Sequence, residues 1–365
     1  MFTRYVKALD RLVLAGLLWM GGMISLACSS SNPSDAQCLS EVTCVTAYGS
    51  TKKLEAKVMD LDELTGALDI RVFDDYLLVS TMSSTGCVHV YDRETLQFHG
   101  SFLNKGNAIT EFLNTPFFTR MPRVGDELIF FNGKKNLVAW NVSESVAQGT
   151  TVSRVWDSTT YEPMHTFVNF VAIDKQCFLC KEVNKDITGQ DRFILKDGER
   201  IILPAQERLN RVTTSTPRDS WKQNLVGGVE AYSPENHLIV EGSTHLNSIH
   251  IYDLDDKFSK TICIGKRLDR ISKIEHLSDA SMPTTCLAAN AYRDCFAVLY
   301  FGATALDEEL LHVTKPQILV FDWDGNPKAC YKLPVNISAF DIDWKSSVIY
   351  GIDYSDNTFY SLSFK

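Results

Sequence analysis

The feature that most constrains this chain is a short unit that returns six times. An alternating apolar run closes on an Asp or Asn, and a polar turn follows. The copies are "VHVYD" at 88–92, "LVAWN" at 137–141, "FILKD" at 193–197, "IHIYD" at 249–253, "ILVFD" at 318–322 and "FYSLS" at 359–363. Asp or Asn ends the first five. Their side chains can bond backbone N–H groups just downstream, which suits the start of a tight turn. Successive copies stand 49, 56, 56, 69 and 41 residues apart, enough for four strands with loops. Repetition at that period, in a strand-only pattern, separates a ring of small sheets from a single sandwich.

Each copy is preceded by two further apolar runs joined by a polar turn, at Asp74-Asp75, Gly125-Asp126, Asp174-Lys175, Pro234-Glu235, Arg293-Asp294 and Lys345-Ser346. Those runs are strands A and B of a blade. The repeated unit is strand C and the run after it strand D. The sixth copy ends at Lys365 and leaves no room for its own strand D. The stretch "KKLEAKVMDL" at 52–61 is the candidate replacement, since pairing it beside the C-terminal strand removes an exposed sheet edge. The expectation is an all-β chain, a six-bladed β-propeller with an N-terminal strand closing the last blade. A seven-bladed ring is the alternative, because the 69-residue interval could hold another hairpin; a long loop at 265–283 is preferred. No helical periodicity persists after the N-terminal segment, and "DEELLHV" at 307–313 comes nearest.

The N-terminus reads as an export signal. Arg4, Lys7 and Arg11 precede the apolar run "LVLAGLLWMGGMISLA" at 12–27, about 15 residues and so shorter than the roughly 20 a membrane span needs. Small Ala27 then precedes Cys28. The stretch "SLAC" resembles a lipobox, with Ser25 standing where Leu is favoured. The resemblance implies signal residues 1–27, lipidation at Cys28, and a polar tether at 28–51 leading into a propeller at 52–365. The alternative is ordinary signal cleavage nearby with Cys28 uninvolved. The formal charge of −9 becomes −11 once residues 1–27 are gone, which disfavours nucleic acid and anionic membrane surfaces as partners. Contact with the membrane is expected through the lipid alone, and the chain is expected to be a monomer.

Nine cysteines remain besides Cys28, an odd number that cannot all pair within the chain. Most sit in apolar runs and behave as small hydrophobes. "CFLC" at 177–180 lies in a strand-like run, where positions i and i+3 face opposite ways. No second CxxC follows at zinc-site spacing. Cys38 and Cys44 lie in the tether and could pair under oxidising conditions. The chain contains no G-x-S-x-G, H-E-x-x-H, P-loop or G-x-G-x-x-G. His89 and His250 recur at equivalent places in strand C, which favours packing over catalysis.

Strand A lines the channel of a propeller, and each one here carries a polar residue: Arg71, Arg120, Asn169, Glu230, Asn290 and Asp341. They either bond neighbouring blades and channel water, as buried polar groups must, or converge on a ligand. Glu230, Asn290 and Asp341 offer oxygens suited to a hard cation such as calcium.

The lipobox-like cysteine, the blade pattern over 52–365 and "GNAITEF" at 106–112 together resemble the TolB-like six-bladed β-propeller lipoproteins of Bacteroides-type bacteria. Gly106, Glu111 and Phe112 match that group's loop motif G-x-G-P-x-E-F, while Ala108 and Ile109 replace its Gly and Pro. The resemblance implies an exported domain, lipid-anchored in the outer membrane and facing periplasm or cell surface. The leading expectation is a non-enzymatic binding or scaffolding domain without a cofactor, its partner an envelope protein or glycan. The loops at 157–167 and 265–283 are candidate binding faces. The alternatives are a channel-metal lactonase or hydrolase, whose acidic and amide metal ligands Glu230, Asn290 and Asp341 match in residue type, and a purely structural envelope component.

Overall fold

The computed structural model describes residues 35–61, 64–113, 117–133, 135–158, 167–215, 225–304, 306 and 315–365. Six antiparallel sheets follow one another along the chain. Blade one is Ala67–Phe73, Tyr76–Thr81, Thr85–Asp92 and Phe98–Asn104; blade two is Arg123–Val124, Glu127–Phe131, Asn136–Asn141 and Ser153–Ser158. Blade three is Phe167–Asp174, Cys177–Val183, Gln190–Lys196 and Glu199–Ile201, and blade four is Gly228–Ser233, Leu238–Ser243, Ser248–Asp253 and Ser259–Ile264. Blade five is Pro283–Ala291, Phe296–Thr304, Gln317–Phe321 and Pro327–Lys332. Blade six is Ala339–Asp343, Val348–Asp353 and Thr358–Ser363, completed by Ala56–Met59. The six repeats are the third strands.

Local chemistry explains the repeat. Asp92 Oδ1 accepts from the N–H groups of Glu94 and Thr95, at 3.0 and 2.7 Å. Asp253 and Asp322 accept from Lys257 and Asn326, both at 2.8 Å. Asp197 instead takes the left-handed conformation itself, at φ 52°, ahead of Gly198. Asn141 caps a helix, α1 (Val142–Gln148), by accepting from Glu144 N, and Gly149 ends it at φ 66°. A simple turn was expected there. The signal for the helix was present, since Asn at the N-cap, an acidic residue in the first turn and Gly after the last turn is a complete set of helix punctuation. A second helix, α2 (Pro204–Asn210), follows the three-residue outer strand of blade three.

Second and third strands are buried on both faces, so they read as nearly continuous apolar runs, as in Tyr76–Thr81, "YLLVST". Their side chains build one core in each gap around the ring. Trp140 and Phe112 fill the gap between blades one and two. Phe170 and Phe178 stack, with ring centroids 5.1 Å apart, between blades two and three. Tyr232 and Tyr252 pack between three and four, Phe296 and Phe321 between four and five, and Phe340 and Ile349 between five and six. Ile70 and Tyr350 join six to one. Cys177 and Cys180 fall in different gaps, the first against the three–four core and the second within the two–three core, as strand spacing requires.

The N-terminal segment does more than the sequence indicated. Ala56–Met59 pairs antiparallel with Thr358–Ser363, with Val58 opposite Tyr360, so the expected closure forms over a shorter stretch. Lys52 and Lys53 belong instead to Ser50–Lys53, which lies parallel along the outer strand of blade five. Glu41–Val45 lies parallel along the outer strand of blade four. Residues 35–51, read from their composition as part of a tether, are thus an ordered clasp over blades four and five. Their Leu39, Val42 and Val45 are buried, and the outer edges of blades four and five supply the unpaired backbone groups. The long interval before blade five holds no seventh blade. It holds α3 (Ile271–Ile274), whose Ile271 and Ile274 pack with Met282 and with Val212, Leu225, Val226 and Leu246 from the chain before and within blade four. The helical candidate at 307–313 and most of the 157–167 loop lie outside the described residues.

Candidate functional site

Blade two breaks the pattern at the channel. Its inner strand is only Arg123–Val124, and the stretch before it forms a 3-10 turn, Phe118–Arg120. That turn packs against the inner strands of blades one, three and four, so blade two reaches into the channel with a turn. Arg120, expected on a strand, sits on this turn. Pro122 precedes the short strand, and a proline there cannot donate to a ladder.

The inner polar residues mostly stitch one blade to the next. Arg71 on blade one donates from Nη1 to the carbonyls of Phe118 and Met121, at 2.8 and 2.6 Å. Asp69 Oδ2 accepts from Phe118 N at 2.7 Å. Asp341 on blade six accepts from Val72 N of blade one at 2.8 Å through Oδ2, and from Tyr292 OH of blade five at 2.7 Å through Oδ1. Asn290 Nδ2 donates to Phe340 O at 2.6 Å. Asn169 Nδ2 donates to Glu230 Oε2 at 2.7 Å, and Lys181 forms an ion pair with the other Glu230 oxygen. The Arg120 side chain has no hydrogen bond among the described residues; it stacks over the Phe117 ring at 5.3 Å.

A second charged layer lies behind the channel, between blades three and four. Arg192 and Glu241, both almost fully buried, form a bidentate pair with Nε donating to Oε2 at 2.8 Å. Lys181 Nζ stands 3.5 Å from Glu241 Oε1 and donates to Gly228 O at 3.0 Å. Burial by itself would raise the Glu241 carboxyl, but Arg192 and Lys181 outweigh it and hold the group well below the carboxylate range. Burial pushes the Lys181 ammonium down to about 7, with Glu241 pulling the other way. It likewise pushes Asp69 up to about 7 against its two backbone donors. His250 sits opposite Glu241, bonded to Thr261 Oγ1 at 3.0 Å, and burial lowers it to about 4. His89, half-buried, contacts Ser101 Oγ at 3.3 Å and packs on Phe98. Both histidines are parts of blade packing.

At the face carrying the A–B turns the channel widens into a funnel of about 270 Å³, lined from all six blades. Of the six sequence candidates, Arg71, Asn290 and Asp341 reach it; Arg120, Asn169 and Glu230 do not line it. Sequence reasoning missed Arg123, Tyr232, Tyr292, Arg293 and Trp344. The signal lay in the A–B turns, where "AYSPE", "AYRD" and "DWKSS" each place an aromatic at the end of an inner strand in blades four to six. The rim is held in place. Arg123 clamps Asp74 at 2.7 and 3.0 Å and lies over Phe73. Trp323 Nε1 donates to Tyr292 O at 3.1 Å, and Asn236 Nδ2 to Arg293 O at 2.9 Å. Trp344 packs edge-on against Tyr292 while remaining 38% exposed. The Arg293 side chain is exposed and has no hydrogen bond or ion pair among the described residues.

Glu230, Asn290 and Asp341 do not make one metal site. Glu230 is neutralised by Lys181 and bonded by Asn169 outside the funnel lining, and both Asp341 oxygens already accept protein donors. Among the described residues no group of three His, Cys, Asp or Glu side chains is placed to hold a metal ion.

Six four-stranded blades, a terminal strand closing the last, and a funnel on the channel axis define a β-propeller scaffold. A family profile described as TolB-like 6-blade propeller-like matches residues 49–345, and the chain belongs to that family. A crystal structure of a DUF4221 family member from Bacteroides vulgatus superposes with a TM-score of 0.54 at 10% identity, covering 92% of this chain and 99% of that one. The extracellular domain of a hybrid two component system from B. thetaiotaomicron gives 0.41 at 12% identity, over 81% and 33%. A calcium-binding protein, regucalcin, from Agrobacterium tumefaciens gives 0.46 at 8% identity, over 86% and 95%. These are likenesses of fold. No curated protein matches the chain. No helix of the described residues is long and apolar enough to cross a membrane.

The "GNAITEF" loop has a structural role. Phe112 is fully buried, with its ring 4.0 Å from that of Phe130, between blades one and two. Glu111 Oε2 accepts from Ala108 N at 2.8 Å, and a Cβ at Gly106 would sit 2.1 Å from that same oxygen. Gly, Glu and Phe therefore fit together as a set, whereas Ala108 and Ile109 contribute backbone groups, Ala108 N to Glu111 and Ile109 O to Asn132 Nδ2.

Proposed function

We propose that this chain is an exported binding domain, held to the envelope by a lipid on Cys28, that receives one polar unit of an envelope glycan in the funnel. One observation carries the reading. The funnel floor is a closed set of inter-blade bonds, while its rim offers a half-exposed Trp344 and an uncommitted Arg293. A fixed aromatic face beside a spare guanidinium suits a sugar ring bearing hydroxyl or carboxylate groups. A cavity of about 270 Å³ takes roughly one such ring, at the small end of ligand pockets. The reading takes binding over turnover because both oxygens of Asp341 on the floor already accept from Val72 N and Tyr292 OH. The exported, lipid-held state rests on the basic and apolar segment before Cys28.

Calorimetric titration of the protein with oligosaccharides released from the producing bacterium's envelope tests this. Binding is expected to fall at least tenfold in Trp344→Ala and in Arg293→Ala, with melting temperatures unchanged. No binding by the wild type, or equal binding by both variants, overturns the reading.

A further inference from the structure

The clasp places two cysteines face to face. Glu41–Val45 runs parallel to Ser259–Ile264 with Cys44 directly opposite Cys263. No other pair of cysteines is in register among the described strands. Adjacent strands lie ~4.8 Å apart, inside the roughly 4.4–6.8 Å separation of α-carbons that a disulfide spans. Residues opposite each other in register point to the same face, and burial followed by the neighbouring Cys44 raises the Cys263 thiol above its ordinary range. Asn247 Nδ2 lies 3.7 Å from Cys263 Sγ and fixes that sulfur. Cys263 is fully buried and Cys44 half-buried.

We propose that Cys44 and Cys263, thiols in this structure, become a disulfide in the exported protein and lock the N-terminal clasp onto blade four. The oxidant is a protein disulfide of the thiol-oxidase class, acting by exchange. The half-buried Cys44 sulfur attacks that disulfide, loses its proton and releases one carrier thiol. Cys263 Sγ then attacks the Cys44 sulfur of the mixed disulfide, releasing the second carrier thiol. Two cysteine thiols are oxidised by two electrons and one carrier disulfide is reduced to two thiols. The order follows from access, since only Cys44 can meet a large carrier. The bond would close a loop containing residues 45–262, so the ring could not shed its N-terminal segment without reduction.

Cys38 is the competitor, because it stands six residues before Cys44 and is also half-buried. Leu39 N donates to Thr261 Oγ1 at 2.8 Å, and Glu41 begins the strand paired with blade four. The clasp therefore lays Cys44 along Ser259–Ile264, against Cys263.

The test is a peptide map of the full mature chain, isolated from the envelope without reductant, acid-quenched and alkylated under denaturing conditions. The expected result is a Cys44 peptide joined to a Cys263 peptide, retained in Cys38→Ser and absent in Cys263→Ser, where Cys44 is alkylated. Reduction should lower the wild-type melting temperature by roughly 5 °C and leave Cys263→Ser unmoved. Recovery of Cys44 and Cys263 separately alkylated from the wild type overturns the proposal. So does a Cys38–Cys44 link. The wild-type map decides the matter even if a variant fails to fold.

Discussion

Replacing Glu241 by Gln should be among the most damaging single-atom changes in the ring. Glu241 and Arg192 are each about 1% exposed, and Arg192 Nε and Nη2 both bond that carboxylate. Gln keeps the shape but removes the charge, and its amide N–H groups then face a guanidinium. Arg192 would keep two carbonyl acceptors, Gln190 O at 3.3 Å and Val226 O at 3.2 Å, but no counter-charge of its own. Breaking a buried pair by altering one partner costs about 3–5 kcal/mol. Unfolding entropy near 2.1 cal/mol/K per residue gives roughly 0.7 kcal/mol/K for a ring of this size, so the melting temperature should fall by about 4–7 °C. Scanning calorimetry with a urea titration measures both quantities. The double variant Arg192→Met, Glu241→Leu removes both charges and should recover at least half the loss, since apolar replacement of a buried pair is often neutral. A Glu241→Gln loss of under about 0.5 kcal/mol, the size of an exposed pair, would refute the reasoning.

His250 and Glu241 each carry a contribution to stability that acid removes. With a folded value near 4 against an ordinary 6.5, the unfolded His250 binds a proton first as pH falls. The His250 contribution, present above pH 6.5, is therefore lost between 6.5 and 4, about 3 kcal/mol in all; Asp69, pushed up to about 7, acts in the opposite sense over that range, so the His250 part is read as the difference between urea titrations of the wild type and of His250→Gln. Glu241, held below the carboxylate range, adds loss below about pH 4.5, which Glu241→Gln should abolish. Phe112→Ala should cost about 3–5 kcal/mol by opening the first inter-blade core, read by the same denaturation assay. Gly106→Ala should cost less in a Glu111→Ala background than in the wild type, because the new Cβ collides with that carboxylate; equal costs would separate the two residues.

The ring was legible because its information is local and repeated. An Asp that starts a turn does so wherever the flanking alternation is correct, and Asp92, Asp253 and Asp322 do so here. Closure by a strand near residue 56 followed from a count, since five complete blades and a short sixth leave one edge open. The clasp at 41–53 was not legible. Its strands are only five and four residues long, and parallel pairing to strands more than 200 residues away has no sequence signal of its own. The blade-two turn escaped notice for a related reason. "FFTRMPRV" alternates well enough for a strand, and only Pro122 and the space in the channel turn it into a 3-10 turn carrying Arg120.

The candidate residues divide the same way. Sequence located the layer of polar side chains at Arg71, Asn169, Glu230, Asn290 and Asp341, because an apolar strand interrupted at one position is visible in one dimension. It could not show that Glu230 meets Asn169 and Lys181, nor that Asp341 reaches Val72 and Tyr292, because every one of those bonds crosses between blades. The chain by itself determined how many blades there are, where each turn falls and which strand edge needs a partner. Only the tertiary structure decided which charges are spent on holding blades together and which remain at the rim. Turn and strand preferences are properties of neighbouring residues, whereas the fate of a charge depends on what a closed ring brings against it.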